Sequence, residues 1–165
     1  MQRKSLLFLT QGAMIAALYV VITEISTLMG LSSGVIQFRL SEALCILSAF
    51  TPAAIPALGI GCMISNLFAS CAPLDIILGA VASLLGALGG YLLRKWWYLV
   101  PIPTVVANVL IVPPVLKFVY DFEGALPYFA LTVGIGEVVC AYIGGLILYK
   151  ALFPHRKKLF PYTEL

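Results

Sequence analysis

Residues 126–152 read LPYFALTVGIGEVVCAYIGGLILYKAL, a run in which Glu137 is the only acid and Lys150 the only base. A helix that crosses a bilayer needs about 20 mainly apolar residues, so this run is long enough. Glu137 falls roughly 11 residues into it, which at 1.5 Å per residue is ~16 Å deep, close to the bilayer midplane. A carboxylate at that depth costs several kcal/mol and has to be paired, protonated or turned toward a polar cavity. One segment therefore predicts both an integral membrane protein and a buried site.

The rest of the chain has the same character. It is 62% apolar and 10% charged, with a mean hydropathy of +1.06, whereas soluble domains carry about 25% charge. A length of 165 residues allows about six or seven crossings, expected as a single transmembrane domain over residues 1–165. The net charge of +3 comes from the flanks of apolar segments. No basic face is interleaved with stacking aromatics, so nothing points to nucleic acid. No small-residue cleavage pattern follows the first apolar run, which is expected to stay as a span. Cys45, Cys62, Cys71 and Cys140 form no CxxC pair and read as small packing residues.

The expected fold is an all-α bundle of six transmembrane helices. The spans are roughly Leu6–Leu28, Glu42–Phe50, Ala53–Ala69, Leu74–Leu93, Pro103–Tyr120 and Leu126–Leu152. The second is short: Ser41 is its expected N-cap and Thr51-Pro52 its end. As an α-helix it covers only ~15 Å, so the flanking Gln37–Glu42 region is expected to line a cavity. Pro113-Pro114 should interrupt backbone hydrogen bonding in the fifth span. Trp96, Trp97 and Tyr98 are expected to form an interfacial belt. Ala82, Gly86 and Gly90, and Ala141 with Gly145, mark close helix packing.

Charge gives this thread a direction. Arg3, Lys4, Arg94, Lys95, Lys150, Arg156, Lys157 and Lys158 fall at one end of the segments, and only Arg39 and Lys117 at the other. The positive-inside bias then places both termini in the cytoplasm and the Gly30–Arg39 loop outside. Glu24, Glu42, Asp75, Asp121 and Glu123 gather in the outer half.

No enzymatic constellation is present. HExxH, an aspartate pair, a nucleophile with a base and a phosphate-binding Gly-Lys-Ser/Thr loop are all absent from the sequence, and His155 lies in the basic tail. No metal site or resident cofactor is expected. A binding site is better supported. Glu137 either faces a ligand or pairs with Arg39 or Lys117. Glu42 either ligates or serves as a helix-start carboxylate. Asn66 and Asn108 can donate and accept inside the bundle, toward a ligand or toward another helix. Asp75, Asp121 and Glu123 sit at the outer rim, where solvation competes with ligand contact; Asp75 is kept as a candidate. Phe38, Tyr120, Tyr128 and Tyr142 could stack on a planar ligand or simply pack. Ala13-x-x-x-Ala17 is either internal packing or a smooth stripe for a partner, and the pattern alone does not decide. Carboxylates and amides outnumber cations, which favours a small ligand rich in donors, such as a guanine-like edge or a cationic amine.

Three runs carry a family resemblance: Val35-Ile-Gln-Phe-Arg-Leu-Ser-Glu-Ala-Leu44, Pro56-Ala-Leu-Gly-Ile-Gly-Cys-Met-Ile-Ser-Asn-Leu67 and Leu74-Asp-Ile-Ile-Leu-Gly79. With Asn108 and Val133-Gly-Ile-Gly-Glu137, they resemble the QueT family over nearly the whole chain. The resemblance implies a substrate-binding S component of an energy-coupling factor (ECF) transporter in the cell membrane, specific for queuosine precursors. Its ligand would be a 7-deazaguanine such as preQ1, preQ0 or queuine. Its partners would be a transmembrane coupling protein and two cytoplasmic ATPases that use ATP, with uptake by toppling of the S component. Ala13 and Ala17 match the alanine stripe that meets the coupling protein in such components. Gln37, Phe38 and Arg39 fit the loop that caps the pocket, joining Glu137, Glu42, Asn108, Asn66, Asp75 and Tyr142 as substrate-binding candidates. An S component for another flat polar vitamin is the alternative, and a small intramembrane enzyme or packing subunit a more distant one.

Overall fold

A computed structural model describes residues 2–31 and 37–161, with side chains from Lys4 onward. The described residues form helices joined by short turns and contain no strand. Part of the loop expected outside, residues 32–36, lies beyond them. Four helical stretches are long and apolar enough to cross a membrane by length and composition: Lys4–Leu28, Pro73–Leu92, Trp97–Phe118 and Leu126–Leu159. Two shorter apolar helices, Leu40–Ala49 and Ala54–Phe68, lie between the first and second of these. The chain is a multi-pass membrane protein.

Helix α1 (Gln2–Leu28) ends where Gly30 takes φ +73° and Leu31 N–H returns to the Ser26 carbonyl at 3.0 Å, a left-handed closure that suits glycine. The next segment, Leu40–Ala49, winds as a 3-10 helix. At a rise of about 2.0 Å per residue, ten residues cover ~20 Å, further than the α-helix expected from sequence. The expected cap is corrected as well: Arg39 holds the cap position without a side-chain bond. Ser41 is drawn inward, its hydroxyl 2.8 Å from that of Thr23 on α1. Thr51 closes the segment, and its hydroxyl accepts the Ala53 N–H at 3.3 Å.

Helices α2 (Ala54–Phe68), α3 (Pro73–Leu92) and α4 (Ile102–Phe118) fall within two residues of their expected bounds. Pro73 opens α3, where a missing N–H costs nothing. Helix α4 runs on through Pro113 and Pro114, which have no N–H to donate to the preceding turn. The sixth expected span is composite: α5 (Leu126–Glu137), a π-helical stretch (Val138–Gly144) and α6 (Gly145–Leu152), followed by a single 3-10 turn and α7 (Arg156–Leu159). The π stretch begins one residue after Glu137.

The long helices pack in sequence, α1 on α2, α2 on α3, α3 on α4 and α4 on α5, while the 3-10 helix contacts α1, α2, α3, the π stretch and α6. It is buried on nearly every side and, with Phe50 just after it, contributes Leu44, Ile46, Leu47 and Ala49 to the core, beside Ile15 and Tyr19 of α1 and Leu58 and Cys62 of α2. Small residues allow this closeness. A Cβ on Gly86 would lie 2.7 Å from Thr104 Cα, and one on Gly90 2.6 Å from Ser48 Oγ. Trp97 is half-buried. It stacks on Tyr149, which stacks on Phe50, which stacks on Phe160, while Trp96 and Tyr98 stay exposed.

Candidate functional site

Seven of the sequence-selected polar residues meet in two adjoining chambers at the acidic end of the bundle. The larger, of about 230 Å³, is lined by Gln37, Arg39, Asn66 and Asp75, together with Thr23, Thr27, Cys71, Leu116, Tyr120 and Phe122. The smaller, of about 20 Å³, is lined by Gln37, Arg39, Glu42, Asn108, Val133 and Glu137. Gln37, Arg39 and Val112 belong to both and form the passage between them. The inner chamber has room for about one water-sized group. The outer one is below the 300–1,000 Å³ typical of drug-sized ligands, a scale that suits a small planar molecule.

Each side chain is placed by its helix. Glu42 lies in the first turn of the 3-10 helix and is 3% exposed; the Tyr19 hydroxyl donates to its Oε1 at 2.5 Å. Glu137, at the junction of α5 and the π stretch, is 7% exposed, and its Oε2 is buried with no hydrogen-bond partner. Arg39 acts on Glu137 electrostatically, and Oε2 still lacks a donor. Buried polar atoms are normally partnered, and an orphan acceptor in a polar chamber is an invitation to a donor. Asn108 on α4 is buried beside both carboxylates and acts on each. The Arg39 guanidinium acts electrostatically on Glu42 and on Asp75.

Asp75 differs from the rim position expected of it. In the first turn of α3 it is buried, 8% exposed, and Tyr120 donates to its Oδ2 at 2.8 Å. The same phenol oxygen accepts the Ala72 N–H at 3.1 Å, so the tyrosine clasps the start of α3 to the end of α4. Asn66 Nδ2 reaches the Asp75 carbonyl at 3.4 Å. Asp121 and Glu123 are exposed, as expected. Ser70 and Asp121, at the ends of α2 and α4 beside the outer chamber, hold left-handed backbones at φ +53° and +52°. Non-glycine residues in that region store strain and cluster at ligand sites.

Phe38 and Tyr142 line neither chamber. Tyr142 lies within the π stretch. Sequence reasoning missed Tyr19, Thr23 and Thr27, although a signal was present: they recur every fourth residue along one face of a mainly apolar helix. Ala13 and Ala17 are both exposed, which excludes internal packing as their role.

A family model described as QueT transporter matches residues 9–154. The chain belongs to the QueT transporter family. The queuosine precursor transporter QueT of Lactococcus lactis subsp. cremoris (strain MG1363) is 46% identical over 72 residues, 44% of this chain and 42% of that protein. The matched stretch thus spans less than half the length of the curated relative. No solved structure matches the chain. The family is one of transporters, and the chambers supply what a transporter needs, a buried polar pocket within a membrane bundle.

Proposed function

We propose that this QueT family member is the membrane-embedded binding component of an importer for queuosine precursors, taking up a 7-deazaguanine base from outside. The observation that carries the reading is the buried, unpartnered Oε2 of Glu137, in a chamber shared with Glu42 and Asn108. A guanine-type edge presents two parallel N–H donors, which match one carboxylate, while the base's acceptors can meet Asn108, Gln37 or Arg39. The name of the Lactococcus relative supports the same ligand class.

The basic end faces the cytoplasm, the six helical segments cross the membrane with both termini inside, and the chambers open outward. The sequence has no phosphate-binding loop, so energy comes from two partner ATPases acting through a transmembrane coupling protein, as in ECF transporters. Ala13 and Ala17 are the contact for that protein. Their exposure supports this, as does the apolar groove of about 390 Å³ beside them between α1 and α6. Delivery occurs by toppling of the loaded component.

Isothermal titration of the purified chain against preQ1, preQ0, queuine and adenine tests the ligand. At least one 7-deazaguanine binds and adenine does not; equal binding of adenine, or no binding of any deazaguanine, refutes the reading. Replacing Ala13 and Ala17 by Trp abolishes uptake and co-purification with ATPase subunits while titration is unchanged. Loss of binding in that variant would refute the interface.

A further inference from the structure

The two chambers differ in size and in the chemistry of their walls, and the difference orients a ligand. The inner chamber, of about 20 Å³, admits one edge of a bicyclic base and not its body. Acceptors there (Glu42, Glu137) stand beside donors (Asn108, Gln37, Arg39), the mixed set that a base edge satisfies and a purely donating ammonium does not. The body of the base then lies in the outer chamber against Val112 and Leu116, and any substituent opposite the donor edge points toward Asp75, Tyr120 and Phe122.

Negative charge is left over in the two chambers taken together. Among the described residues lining the chambers, Asp75, Glu42 and Glu137 are acidic and Arg39 alone is basic. A neutral base edge hydrogen-bonds to an inner carboxylate and neutralises nothing. Asp75, more than nine-tenths buried and held by Tyr120, is fixed in place before any ligand arrives, so it loses little freedom on binding. A buried carboxylate of this kind favours a cation.

Building on the functional reading above, we infer that Asp75 is the specificity-determining residue for a primary ammonium arm on the base, clasped in place by Tyr120, while the inner carboxylates read the guanine edge. The chain therefore discriminates between deazaguanines by the charge of the arm.

The test is titration of the chain in lipid nanodiscs with three probes sharing one edge: 7-aminomethyl-7-deazaguanine, 7-cyano-7-deazaguanine and unsubstituted 7-deazaguanine. The parent binds the aminomethyl compound at least tenfold more tightly than the cyano compound. Asp75→Asn keeps an acceptor for Tyr120, weakens the aminomethyl compound about tenfold or more, and leaves the other two within threefold. Their retained binding shows that the variant is folded. Should Asp75→Asn not yield a monodisperse protein, Asp75→Ser carries the same expectation. Glu137→Gln weakens all three alike. A preference that persists in both Asp75 variants, or that vanishes in Glu137→Gln instead, overturns the assignment while the functional reading stands. Failure of the parent to bind any of the three overturns both.

Discussion

At the acidic end, the termini of α1, α2 and α4 hold Thr27, Cys71 and Tyr120 apart around some 230 Å³ of polar space. At the basic end, Trp97, Tyr149, Phe50 and Phe160 stack with ring centroids 5.0–5.3 Å apart, the outer two rings half-buried against the core. Both ends are made from the same apolar helices. The difference lies in how their side chains are satisfied. Aromatic rings gain by touching, so they stack face to face and leave no polar space between them. Carboxylates and amides gain by hydrogen bonds at fixed distances, and they keep a chamber open that costs stability unless something fills it. Stability and binding are thus assigned to opposite ends of one molecule, and mutations should separate them.

The largest expected effect is at the closed end. Phe50→Ala removes a ring stacked on both sides and should cost about 3–5 kcal/mol of stability. It should lower the thermal midpoint sharply in detergent while the folded fraction keeps its affinity. A large loss of affinity at unchanged midpoint would erase the distinction between the ends. The next effect is at the open end. Glu137→Gln puts a donor where the ligand also donates, and losing a charge-assisted bond of roughly 1.5–3 kcal/mol should weaken binding about 10- to 150-fold by titration. Its thermal midpoint without ligand should hold or rise, because a buried carboxylate with one oxygen lacking a donor is removed.

Tyr19→Phe probes the boundary between the two regions. The tyrosine belongs to the core and also donates to Glu42. Leaving that acceptor unsatisfied costs about 1–3 kcal/mol. The variant should therefore lose both thermal stability and affinity, each less than the specialised substitutions do. The smallest effect is expected at Asp121→Asn. The residue is exposed, and Asn tolerates the left-handed backbone, so stability should stay within about 0.5 kcal/mol and affinity should not change measurably. A large effect there would move the site outward.

Much of this division was legible in the sequence because polar groups in apolar helices are expensive. Glu42, Asn66, Asn108 and Glu137 stood out singly, and the fold brings them together from four different helical segments. Asp75 was recognised, but its burial was not, since only the clasp from Tyr120 turns it inward. Thr23 and Thr27 passed unnoticed because a threonine hydroxyl can bond to its own helix, as both do, and then looks neutral. Tyr142 was chosen for its ring alone and Phe38 for its ring and its place in the loop, and a ring in a membrane protein fits packing, belt and ligand equally well. The winding of the backbone was the least legible feature. A 3-10 segment and a π segment have the same apolar composition as the α-helices around them, and tertiary contacts select them.

The π stretch from Val138 to Gly144 also sets a phase. Glu137 and Tyr149 are 12 positions apart, and in a plain α-helix of 3.6 residues per turn they would point about 120° away from each other. An i→i+5 turn absorbs one extra residue, which rotates everything after it back by about 100°. The acid of the open end and the ring of the closed end thereby share one side of a single helix. That stretch works as a vernier between two otherwise independent patterns, so its length is constrained as well as its apolar composition.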